Sequence, residues 1–351
     1  MLWQNTDSMP PGRTILITGC SSGCGLDAAH TLRARGWRVF ASCRKLKDCE
    51  ELRIQGFDSP RIDYADEASI YSGYQEVMDA TGGTLDALYN NGAFALLGAV
   101  EDVPTAGLRE LFEANFFGWH TLTQLAIKTM RRQGPPSPGS PTGYRGAGRI
   151  IQHSSGYGLF AGAFRMAYCA SKHALEAHAQ CLRQELADTE IHVVLLNTGL
   201  IRTQIREKSR AQWTKWIAPL VERSAWRSLY QTKLEVRLFG PYVPDPMEGE
   251  TPLVTHEVLR ALESPTPCAR YYVTKLIWAL AFLVRVIPSR AMDAFLNKAT
   301  NGVPVFGGRA ARCAVLHPPE KAAARREGGG GGGEAAEGAA PAGAGDSLKR
   351  D

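Results

Sequence analysis

A phenol and an ammonium group stand one helical turn apart in Tyr168-Cys169-Ala170-Ser171-Lys172, where the pattern predicts an amphipathic helix over 167–188. Residues four apart share a helix face, so the two groups are neighbours. A tyrosine with its ordinary pKa near ~10 exchanges protons poorly at neutral pH, and a nearby cation stabilises the phenolate and moves it towards the working range. Taken alone the pair carries little, because this spacing arises by chance in many helices and is usually a surface contact. Its neighbours give it weight. Ser155 ends a predicted strand upstream, Asn115 sits between Leu111 and Gly118 in a long predicted helix, and Asn90-Asn91-Gly92-Ala93 closes another strand.

A second constellation lies near the start. Thr18 to Gly25 read Thr-Gly-Cys-Ser-Ser-Gly-Cys-Gly, directly after an apolar run at 14–18 and opening a helical stretch at 26–35. Glycines there permit a tight turn and close approach of backbone to a pyrophosphate, which the free N–H groups and dipole of a helix N-terminus stabilise. Gly19, Ser21, Ser22, Gly23 and Gly25 are therefore the loop residues expected against a dinucleotide. A second strand at 38–42 ends in Cys43-Arg44-Lys45, where an NAD-selective site would carry an acidic residue for the ribose 2′-hydroxyl. Two cations favour a 2′-phosphate instead, with Arg44 the principal contact, Lys45 supporting and Ser22 helping from the loop. The expected cofactor is NADP, with NAD as the alternative.

Strands and helices must alternate to hold these residues. After the second strand come a helix near 67–80, a strand at 85–89, the helix at 105–132, a strand at 149–154, the helix at 167–188 and a strand at 192–196. Apolar, β-rich runs between amphipathic stretches predict a doubly wound parallel sheet with helices on both faces, a three-layer α/β/α Rossmann arrangement. Residues 13–315 read as one domain carrying a Pro/Gly-rich excursion at 133–148 and a substrate-cover segment at 204–250. Residues 1–12 read as a frayed leader without signal-peptide character, and 318–351, with six consecutive glycines, as a disordered tail.

Composition excludes several classes. Of 351 residues 44 % are hydrophobic and 21 % charged, which rules out fibrous and wholly disordered chains. Forty Lys+Arg against thirty-five Asp+Glu are spread without a dense basic block, so nucleic acid is not an expected partner. The eight cysteines have no zinc-ligand spacing, no metal site is expected, and a reduced cytoplasmic setting fits them.

These motifs, in this order, resemble the single-domain branch of the short-chain dehydrogenase/reductase family over about residues 13–205. The glycine spacing separates the chain from the two-lobed branch. The resemblance implies that Tyr168 is the general acid/base, that Lys172 lowers its pKa and binds the nicotinamide ribose, and that Ser155 polarises the substrate oxygen. It further implies that Asn115 shapes its helix so that a water joins a proton relay to Lys172. Asp63, after a weak third strand, would contact the adenine; Asn90 to Ala93, with Gly92, would border the cofactor; Thr203 would bind the carboxamide. Thr198 stands where the family commonly has a proline, and Ala93 permutes a commoner order. Family members are commonly dimers or tetramers, so a homo-oligomer is expected.

The cover segment contains Trp213, Trp216, Trp226, Tyr230 and Phe239, and Phe94, Leu96, Tyr157, Leu159 and Phe160 follow the motif strands. So many aromatics suggest an apolar small-molecule substrate. Local wording is similar to the hydroxysteroid, retinol and long-chain aldehyde members of the family, and NADPH in a cell drives reduction, so an apolar carbonyl reductase is the expected activity. A non-catalytic NADP(H)-binding sensor or scaffold of the same fold is the alternative. The apolar run at 276–284 is far short of the ~20 residues that span a bilayer. It is read as a helix over the cleft or a subunit contact, with peripheral membrane contact the lesser reading.

Overall fold

The computed structural model describes residues 12–133 and 148–300, with side chains through 296. The leader before residue 12, the interior of the 133–148 excursion and the 318–351 tail lie outside the described residues. Strands β1 (Thr14–Ile17), β2 (Arg38–Ala41), β3 (Ala87–Asn90), β4 (Arg149–Ser155), β5 (His192–Thr198) and β6 (Arg270–Tyr272) form a parallel sheet in the order β2-β1-β3-β4-β5-β6. The inner strands β1 and β3 are buried along their whole length, which is why they read as unbroken apolar runs.

Helices α1 (Gly23–Ala34), α2 (Leu46–Ile54), α3 (Glu67–Thr81), α4 (Thr105–Phe112), α5 (Gly118–Arg132), α6 (Met166–Glu185) and α7 (Ile205–Trp216) connect the strands or follow β5. Beyond them lie the short turns α8 (Arg227–Leu229) and α9 (Glu235–Phe239), then α10 (Thr251–Glu263), α11 (Lys275–Val286) and α12 (Ser289–Thr300). Ala28, Leu32, Leu52 and Val258 carry α1, α2 and α10 against one sheet face. Val77, Trp119, Leu122 and Leu175 carry α3, α5 and α6 against the other, giving the three layers. The strand order reverses between β1 and β3, and a crevice opens beyond their carboxyl ends, where such sheets bind ligands.

Four expectations change. The weak third strand expected before Asp63 is reduced to the isolated bridges Phe40 to Asp58 and Cys43 to Arg61, because Pro60 between them has no N–H to donate and Asp58 and Ser59 favour turns. The 105–132 helix is broken by a π-turn over Glu113–Phe117. The helix α2 and the edge strand β6 are additions. The cover aromatics also do something different. Trp213 and Tyr230 are buried with rings 5.2 Å apart edge-to-face, and together with Phe94 and Leu96 they build a third apolar core under α7 rather than line the cleft. Phe239 is exposed. The 276–284 run lies within α11, and among the described residues no helix is long and apolar enough to cross a membrane.

The edge strand is pinned by charge. Arg270 pairs with Glu176 of α6 and donates to the Asn197 Oδ1 at 2.8 Å. The Glu176 carboxylate also accepts from Ser154 Oγ at 2.5 Å and Asn197 Nδ2 at 2.6 Å, tying β4, β5, β6 and α6 together. Removing one partner of such a buried pair strands the other, so Glu176→Ala should cost about 3–5 kcal/mol in urea unfolding. A loss below about 1 kcal/mol would show that the pair holds nothing.

Candidate active site

Helix α6 turns Ala167, Ser171, Lys172 and Leu175 inward, and this puts the Lys172 ammonium, 2 % exposed, under the end of β4. Its Nζ donates to the His153 carbonyl at 2.7 Å and lies 4.5 Å from the Trp119 ring centre and 5.7 Å from that of Tyr168. Burial lowers Lys172 to about 7, with Glu176 pulling it back upward. Burial also pushes the Tyr168 phenol well above its usual range, opposed by a hydrogen bond with Ser155. Desolvation is the largest cause of both shifts, acting against the charged form of each group.

Ser155 ends β4, and its Oγ accepts from the Tyr157 N–H at 3.2 Å. Asn115 occupies the π-turn; its amide accepts from Phe94 N at 3.1 Å and donates to Phe94 O at 2.9 Å and Ser171 Oγ at 3.2 Å. It thus clamps the β3 exit to α6 without touching Lys172. Beside Ser155 lies a cavity of about 70 Å³ walled by Tyr157, Phe160, Leu200, Ile277, Leu280 and Leu296, with Thr198 as a second polar group. The lid of this cavity is α11 and α12. Of the predicted lining residues, Tyr157 and Phe160 are in it, while Phe94 and Leu96 are in the third core.

The glycine loop meets the β3 exit. Gly19 has φ +68°, and a Cβ there would stand 2.6 Å from Gly92 Cα; one on Gly25 would stand 2.7 Å from the Gly19 carbonyl. Only hydrogen allows this approach. Ser22 caps α1 without bonding its N–H groups through the hydroxyl, leaving them for an anion. Gly19, Ser21, Ser22, Gly23 and Gly25 thus form a cradle suited to a dinucleotide's phosphates. Arg44 and Lys45 stand exposed at the β2 exit. Asp63 is half-buried, its carboxylate accepting from Ala65 N at 3.2 Å. Thr203 rests against Gly23. Asn90 is different: its amide is satisfied inside the sheet layer by Tyr64, Thr123 and Gln152, so it supports the crevice floor rather than facing a ligand.

Two groups escaped sequence reasoning. His153 has Nδ1 within 2.8 Å of the Tyr89 hydroxyl and 2.9 Å of Asn91 Oδ1, and Nε2 3.2 Å from Thr198 Oγ1; burial, then Lys172, lowers it to about 3. Lys208 of α7 donates to Ser22 Oγ at 3.2 Å. No spacing rule points to either, because both contacts join segments remote in sequence.

The sequence profile of the family described as short chain dehydrogenase matches residues 13–214. The uncharacterized oxidoreductase YbbO of Escherichia coli is 33 % identical over 285 residues, 81 % of this chain and 94 % of that one. The NADPH-dependent 3-dehydrocapnine reductase of Ornithobacterium rhinotracheale is 32 % identical over 292 residues, 82 % of this chain and 96 % of that one. A short chain dehydrogenase/reductase from Burkholderia phymatum, solved in complex with NAD, superposes with a TM-score of 0.61 at 17 % identity, covering 78 % of this chain and 92 % of its own, a likeness of fold. The chain belongs to the short chain dehydrogenase family and is an NAD(P)-dependent dehydrogenase/reductase.

The buried lysine makes stability depend on pH. Because the folded protein binds a proton at Lys172 less readily than the unfolded chain, the penalty is full below about 7 and is relieved as pH rises towards 10.5. Urea unfolding of the wild type and of Lys172→Met at roughly pH 6.5 and roughly pH 9.5 should show the wild type gaining on the variant at the higher pH. Parallel pH dependence in the two would contradict the burial of the ammonium.

Proposed function

We propose that this short chain dehydrogenase is an NADP(H)-dependent reductase of an apolar carbonyl of the aldehyde, ketosteroid or retinal type. The observation that carries the reading is Ser155, hydrogen-bonded to Tyr168 and lining a mostly apolar cavity, together with the exposed Arg44 and Lys45 cations at the β2 exit. When bound, the reduced nicotinamide supplies a hydride to the carbonyl carbon. Ser155 Oγ–H donates to the carbonyl oxygen and withdraws charge from the carbon. Tyr168 gives its phenolic proton to that oxygen as the alcohol forms, and Lys172, anchored to the His153 carbonyl, holds the phenolate that is left.

Isoleucine and leucine walls on α11 fit a substrate that offers one polar atom. Arg44, Lys45 and Ser22 support NADP over NAD, since a 2′-phosphate would meet two cations and a hydroxyl there. The NADPH dependence of the Ornithobacterium relative agrees with this.

Tyr168→Phe removes one oxygen atom and leaves the cradle alone. It should bind NADPH, followed by cofactor fluorescence, within about twofold of the wild type, and lose on the order of 10²–10⁴ in turnover. Normal turnover in this variant would contradict the acid role. Arg44→Ala should weaken NADPH by about tenfold or more and NADH hardly at all; equal effects on the two would remove the phosphate assignment.

A further inference from the structure

We infer that Lys208 is a cofactor-selectivity residue: helix α7 of the cover segment reaches back to the glycine loop and completes the phosphate site together with Ser22 and Arg44. The inference rests on the NADP(H) reading above and extends it to a segment that the sequence motifs assign only to the substrate side.

The contact spans the chain. Lys208 Nζ donates to Ser22 Oγ at 3.2 Å across 186 residues. Ser22 is free to accept, because its hydroxyl does not cap α1. The amine is held below its ordinary range first by desolvation and next by the Arg44 guanidinium, so the two cations are within electrostatic reach of each other. Asp48 and Glu207 pull the other way. Among the described residues, however, no carboxylate closes an ion pair with Arg44, Lys45 or Lys208. Lys208, with Arg44 in electrostatic reach, and the Ser22 hydroxyl thus meet at the N-terminus of α1 with no carboxylate in bonding contact. A phosphate monoester dianion satisfies that arrangement, since it accepts from the ammonium, the guanidinium and the hydroxyl together.

A separate contact places the same segment on the same loop. A Cβ on Gly23 would lie 3.3 Å from Thr203 Cγ2, so Thr203 and Lys208 rest on the adjacent loop residues Gly23 and Ser22. At its other end α7 is anchored by Trp213 in the third core and by Arg210, which donates to the Leu238 carbonyl at 2.6 Å. A 2′-phosphate that engages Lys208 therefore also holds down the stretch carrying Thr203. NADH offers no such grip.

The test is binding, read apart from turnover. NADPH and NADH are titrated by fluorescence into wild type, Lys208→Ala, Lys208→Arg and Arg44→Ala, and amide hydrogen exchange of residues 203–216 is followed with each nucleotide. Lys208→Ala should weaken NADPH by about tenfold, leave NADH within about twofold, and abolish the extra protection that NADPH confers over NADH; Lys208→Arg should restore most of the affinity. Wild-type NADPH affinity in Lys208→Ala beside a loss in Arg44→Ala overturns this inference and spares the NADP(H) reading. Equal affinity of the wild type for the two nucleotides overturns both.

Discussion

An ammonium buried among aromatic rings is costly to keep, and Lys172 is kept by the carbonyl of His153. That one bond demands that α6 lie against the end of β4. Once it does, Tyr168, one turn earlier on the same face, must stand beside Ser155, which ends the same strand. The remaining elements can be seen as meeting this demand. Trp119 of α5 covers the ammonium and donates to the Gly92 carbonyl at 2.9 Å, linking the lysine to the β3 exit. Glu176, a turn further on, joins α6 to Arg270 of the edge strand and opposes the desolvation of Lys172 from the other side. The edge strand in turn delivers α11, whose Ile277 and Leu280 wall the cavity.

Burial acts on the titrating groups as well as on the packing, raising the Tyr168 phenol and lowering the Lys172 amine. His153, held neutral and placed between Tyr89, Asn91 and Thr198, ties together strand ends on both sides of β4.

Much of this was legible in the residues. The glycine loop announces itself because only glycine tolerates the 2.6 Å approach to Gly92, and the Tyr168–Lys172 spacing is one helical turn whatever else surrounds it. The parallel sheet follows from buried apolar runs such as Thr14–Ile17. What escaped was decided by contacts between distant segments. Trp213 and Tyr230 look like a substrate cover in one dimension and are a core in three, since their apolar surface is buried against Phe94 and Leu96. Asn90 sits within a recognisable motif, yet Tyr64, Thr123 and Gln152 take up its amide. The weak third strand expected before Asp63 is reduced to isolated bridges, since Pro60 within it has no N–H to donate. Lys208 meets Ser22 only after 186 residues of chain have folded.

The most direct measurement follows absorbance at the reduced-nicotinamide band with purified protein, NADPH and NADH in parallel, and a panel of long-chain aldehydes, retinal and ketosteroids. Faster consumption of NADPH than of NADH with at least one apolar carbonyl, and alcohol formed in equal amount, is the predicted result. Tight NADPH binding without consumption on any member of the panel would contradict the reductase reading and leave a cofactor-binding protein that does not reduce this class of substrate.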